Sequence, residues 1–121
     1  MLDISFYTTN GQPPYTVEVA EDIYEWLIKS EFSKIGKSVN RKIQVEGEEE
    51  KLDLVQLSKG NRKKLKNFFS EAIVRESMTV RAQLGDSPST KEYQAGNYRL
   101  WKLQDLLKCV ENEKYQYLQR I

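Results

Sequence analysis

The sequence predicts a small α+β domain: an N-terminal antiparallel sheet with one helix, followed by a C-terminal hairpin of two long helices. Three observations carry this expectation. Leu2, Ile4 and Phe6, and then Tyr15, Val17 and Val19, alternate with their neighbours at the period of a strand with one buried face. From Ser58 onward the apolar residues recur at three and four instead, the period of a helix face. The length of 121 residues suits one domain, residues 1–121, that buries enough surface to fold without staples.

The elements follow in order. A strand begins at Leu2, and Thr8 to Pro14, with Asn10-Gly11 and Pro13-Pro14, is turn chemistry that returns the chain as a hairpin. Pro14 confines the second strand to a start or an edge. From Ala20 the period changes, with Ala20, Ile23, Leu27 and Ile28 on one face and Glu21 and Asp22 in the first turn, where the dipole favours anions. This helix is expected to end between Ser30 and Gly36. Ile43 and Val45 within Lys42 to Glu46, and then Leu52 to Val55, form a second hairpin whose tip is Gly47 and the three glutamates after it.

The stretch Ser58 to Gly85 is the expected spine of the core. Leu65, Phe68, Phe69, Ala72 and Ile73 share a face that Val80 and Leu84 continue. Ser58 is placed to cap the helix, and Gly85 and Pro88 to stop it. A second long helix is expected from Ser87-Pro88, with a bend or break at Ala95-Gly96-Asn97 and a stripe of Leu100, Leu103, Leu106, Leu107 and Val110. Tyr115, Tyr117, Leu118 and Ile121 read as a short tail folded back onto the helices.

Composition narrows the chemistry. The chain has no histidine and one cysteine, Cys109, which excludes an internal disulfide and the usual zinc ligand sets. No metal or other cofactor is expected. The commonest general base is missing, and Cys109 sits among leucines without a partner to generate its thiolate, so the chain is not expected to be an enzyme. Lys66 and Ser70 match a serine–lysine dyad in spacing alone. No window approaches the length of a membrane span and no leader pattern opens the sequence, so no membrane partner and a cytoplasmic location are expected.

The net charge of +1 hides an asymmetry: residues 1–57 carry −5 and residues 58–121 carry +6. Two candidate binding regions follow. Glu46, Glu48, Glu49, Glu50 and Asp53 gather acid at the second hairpin. Lys59, Arg62, Lys63 and Lys66 gather base at the start of the long helix, where the dipole disfavours cations, and offer an alternative site for anions such as nucleic-acid phosphates. The two clusters are neighbours in sequence, and pairing with each other is the simplest use of both.

The strand Leu2-Asp3-Ile4-Ser5-Phe6, the helical Tyr24-Glu25-Trp26-Leu27 and the leucine-rich second half resemble the small bacterial immunity proteins that neutralise contact-dependent and other polymorphic toxins. The resemblance covers overall form, size and composition and carries no site motif. It implies a cytosolic, non-enzymatic inhibitor that binds the catalytic domain of a cognate toxin, often a nuclease with a basic active site. Glu46, Glu48, Glu49, Glu50 and Asp53 are then the natural contacts, mimicking phosphate and speeding encounter.

Overall fold

In chain order the elements are β1 (Leu2–Tyr7), β2 (Tyr15–Val19), α1 (Glu21–Lys29), a 3-10 turn (Glu31–Lys34), β3 (Ser38–Val45), β4 (Glu48–Gln56), α2 (Lys59–Leu84), α3 (Thr90–Glu111) and β5 (Tyr117–Arg120). They come from a computed structural model, which describes the backbone of residues 2–84 and 90–120. The expected helix stop at Gly85 and the start at Ser87-Pro88 lie outside the described residues. The α+β class holds, with one five-stranded antiparallel sheet and three α-helices among the described residues.

The arrangement differs from the expected N-terminal sheet in one respect: the sheet runs β2-β1-β5-β4-β3, so the strand after α3 lies at its centre. The expected tail from Tyr115 is therefore not simply laid on the helices, and Ile121 lies outside the described residues. Residues Tyr117–Arg120 pair with β1 through Ile4↔Arg120 to Tyr7↔Tyr117, and with β4 through Val55↔Leu118 and Gln56↔Tyr117. Four residues with one buried apolar side chain, Leu118, are too few to show a period of two. The polar positions have structural work instead. Arg120 points to the helix side, where its guanidinium donates to the carbonyls of Phe32, Ile35 (2.6 Å) and Gly36 (3.3 Å) and lies over the Phe32 ring. Burial lowers the Arg120 pKa, and these acceptors compensate the lost water.

The helices cover one face of the sheet. Ile4, Phe6, Val19, Val55 and Leu118 of the strands meet Ile23, Leu27, Phe32, Leu65, Phe69, Leu103 and Leu106 in one buried cluster. Each fully buried leucine or phenylalanine contributes on the order of 1.5–3 kcal/mol over its exposed state. Phe69, fully buried, sits between Phe32 and Phe68 at ring distances of 5.6 and 5.2 Å. Trp26 packs on Phe68 and carries Arg99 over its ring, whereas Trp101 is half exposed on α3. Ile28, expected on the buried face of α1, is exposed; Tyr24 takes its place beside Leu27.

Local signals set the boundaries. The Ser58 hydroxyl accepts from the Asn61 amide at 3.2 Å, capping α2 as its sequence predicts. Of the bend or break expected at Ala95-Gly96-Asn97, the break does not occur: α3 continues through it as a single helix. The cost of one helical glycine is about 1 kcal/mol, and α3 packs along α2, enough to carry the helix across it. Gly36 turns the chain into β3 with φ +72°, and a Cβ there would lie 2.6 Å from Val55 Cγ1 and 2.9 Å from Asn61 Nδ2. Only glycine fits without displacement.

Candidate interaction surfaces

The second hairpin is tighter than its sequence predicts. Glu46 (φ 52°) and Gly47 (φ 83°) alone make the turn, the two-residue geometry with positive φ that matches strand twist. The three glutamates expected at the tip therefore belong to β4, paired as Val45↔Glu48, Gln44↔Glu49 and Ile43↔Glu50. Alternation then divides the acidic cluster. Glu48 and Glu50 share a face with Leu52 and Leu54, while Glu49 and Asp53 share the opposite face with Val55. On that second face acid is answered locally: Lys42 lies 3.8 Å from Glu49, and the Asn40 amide donates to Asp53 at 3.2 Å. Such an exposed ion pair is worth about 0–1 kcal/mol. Glu46, Glu48 and Glu50 are exposed and have no ion pair among the described residues.

Glu48 and Glu50 border the sheet face that the helices leave open. A second cluster lies there, built from strands alone: Tyr7, Val45 and Leu54 are buried, with Ile43, Leu52 and Tyr117 partly buried against them. Arg41 lies over the Tyr117 ring at 5.4 Å, and the Tyr7 hydroxyl donates to Gln119 Oε1 at 2.8 Å. The Tyr7 pKa is raised, first by burial and then by the negative charge of Glu50. The end of β1 lies beside Gln56, at the opposite end of β4 from the Glu46-Gly47 turn, so the donation of the Glu46 amide to the Gly11 carbonyl at 2.9 Å brings the hairpin tip and the loop after β1 together across this face. The sequence reading missed Tyr7, Arg41 and Tyr117 as surface-forming residues. The signal was present for Tyr7, which alternates out of phase with the core residues Ile4 and Phe6.

The basic cluster forms a separate groove of about 590 Å³, lined by Lys59, Arg62, Lys63, Lys66, Glu113 and Gln116. Its four cations divide by role. Arg62 is turned into the fold: Nη1 donates to Val110 O at 2.6 Å and Asn112 O at 3.2 Å, and Nη2 to Tyr115 O at 2.7 Å and Leu57 O at 3.3 Å. It ties the end of α3 to the start of α2, a structural use that occupies both terminal nitrogens of the guanidinium. Lys59, Lys63 and Lys66 have no ion pair among the described residues, and the expected pairing with the acidic hairpin is not formed. Across the two halves of the chain the ion pair seen is Asp22 with Arg99 at 3.8 Å.

Lys66 and Ser70 make no hydrogen bond to each other. Cys109 is buried in α3 and its pKa is pushed up to about 11, by desolvation first and by Asp105 second. The thiol is thus protonated at neutral pH. Its folded pKa exceeds the ordinary value of 9.0, so its contribution to stability is complete below about pH 9 and lost as pH rises through about 11. The denaturation midpoint is expected to fall across that window, and to fall less in Cys109→Ala.

Among the described residues no group of three acidic, cysteine or histidine side chains is placed to hold a metal ion, and no helix is long and apolar enough to cross a membrane. Comparison of the chain with protein-family models, with curated proteins and with solved structures finds no match.

Proposed function

We propose that this chain is a non-enzymatic binding protein of the immunity type, which neutralises a cognate toxin by covering its catalytic domain. The observation that carries this reading is the juxtaposition, on the sheet face away from the helices, of exposed, unpaired carboxylates with the partly buried apolar side chains of Ile43, Leu52 and Tyr117. Glu46, Glu48 and Glu50 steer a basic partner, and Tyr117, Ile43 and Leu52 supply contacts that exclude water once it has docked. Glu49 and Asp53 have a smaller share, since Lys42 and Asn40 already engage them.

The test is a glutamine variant at Glu46, Glu48 and Glu50, assayed against the polypeptide encoded immediately upstream as the candidate toxin. Association at low salt is expected to slow about tenfold or more, with the difference shrinking as salt screens the charges. Cells carrying the variant lose protection in proportion. Full protection by the variant removes the acidic surface from the interface.

The groove favours a second reading, binding of nucleic-acid phosphates, because Lys59, Lys63 and Lys66 converge there unpaired. Glutamine at these three positions then weakens oligonucleotide binding and flattens its salt dependence, while the variant at the three glutamates leaves it unchanged or stronger.

A further inference from the structure

The two edges of the sheet are unequal. β2 is five residues long, follows Pro13-Pro14 and has α3 packed against it. Proline and a covering helix are standard protections of an edge. β3 has eight residues, no proline, and β4 as its one neighbour in the sheet. Val39, its second residue, is 42% exposed. The tight turn makes Val45 and Glu48 the first hydrogen-bonded pair of the ladder, so the backbone groups of Ser38, Asn40, Lys42 and Gln44 face outward.

We propose that β3 pairs with β3 of a second copy of this chain, antiparallel about a two-fold axis at Arg41, making one ten-stranded sheet. In this register Asn40 and Lys42 exchange backbone hydrogen bonds with Lys42 and Asn40 of the second copy, and Ser38 does so with Gln44. Val39 lies against Ile43 of the second copy, with Leu54 on its other side. The apolar cluster of the open face thus continues across the seam. Lys42 comes opposite an asparagine whose amide is held by Asp53, so a carboxylate stands one strand further on. Arg41 meets its own copy, yet its guanidinium leans away from the edge onto Tyr117. Moving the axis by one residue either way sets Lys42 against Lys42 or Asn40 against Asn40 and pairs Arg41 with Ile43 or Val39. An axis at Lys42 also sets Val39 against Val45 but faces the two lysines, and an axis at Asn40 gives no apolar match, so the axis at Arg41 is the one that matches apolar with apolar while keeping the lysines apart.

One strand pair buries less than a standard interface, so the dimer is weak and concentration-dependent. Sedimentation of the full chain between about 10 μM and 1 mM is expected to pass from monomer to dimer. Val39→Lys, at an exposed position, keeps the thermal melt of the wild type and weakens the dimer at least about tenfold. Under mild oxidation Arg41→Cys cross-links two copies, because a two-fold pair without hydrogen bonds brings Cα atoms within disulfide range; Gln44→Cys does not, and buried Cys109 does not compete. A wild-type monomer at about 1 mM overturns the proposal. So does a dimer unaffected by Val39→Lys, or cross-linking through Gln44→Cys as fast as through Arg41→Cys.

Discussion

Truncating Phe69 to alanine is expected to destabilise the fold by about 3–5 kcal/mol, the range for removing a buried aromatic side chain from a core that relaxes only in part. The ring has no exposed surface, and it contacts the 3-10 turn through Phe32 and its own helix through Phe68. Its loss opens a cavity where α2 meets the segment between α1 and β3. Leu65 and Leu103 of the same cluster are themselves fully buried, and the close packing of such a core limits collapse into the space. Denaturant melts measure the effect directly, and a loss under about 1 kcal/mol places the ring outside the core.

Arg62→Ala is the second large effect, about 2–4 kcal/mol, although the residue looks from sequence like one member of a cationic cluster. The guanidinium serves four carbonyls from Leu57, Val110, Asn112 and Tyr115. Without it the end of α3 and the start of the following turn lose their charged donor. Arg62→Lys rescues little, since one ammonium cannot reproduce the planar fork. Equal stability of Arg62→Lys and wild type in urea melts refutes this assignment. Lys63→Ala, one residue along, changes stability by about 0.5 kcal/mol or less because its side chain is exposed.

The contrast between these neighbours shows what sequence makes legible. The face Leu65, Phe69, Ala72 and Val80 was readable from its spacing, and Ser58 from its capping chemistry, because both depend on residues close in sequence. The first hairpin was readable for the same reason. The role of Arg62 was not, since three of its four acceptors lie about fifty residues away and carbonyl groups leave no trace in side-chain identity. β5 was hidden because a central strand of four residues, one of them the Arg120 that ties down the 3-10 turn, has no apolar run. The acidic cluster was legible as composition but not as geometry. A turn of Glu46-Gly47 instead of a longer loop moved the glutamates into a strand, and a period of two then dealt them to opposite faces.

The central position of β5 has a consequence for the order in which the molecule assembles. The first hairpin, β1 with β2, and the second, β3 with β4, do not adjoin in the sheet; Tyr117–Arg120 stands between them. On the ribosome both hairpins and both long helices are made before the strand that joins them, so each hairpin waits with one inner edge unsatisfied. Pairing Ile4 with Arg120 closes a loop that includes nearly all the intervening chain, which is a slow step compared with forming a hairpin. The nascent protein therefore carries two open strand edges until synthesis has passed residue 120, the interval in which it most depends on not meeting another copy of itself.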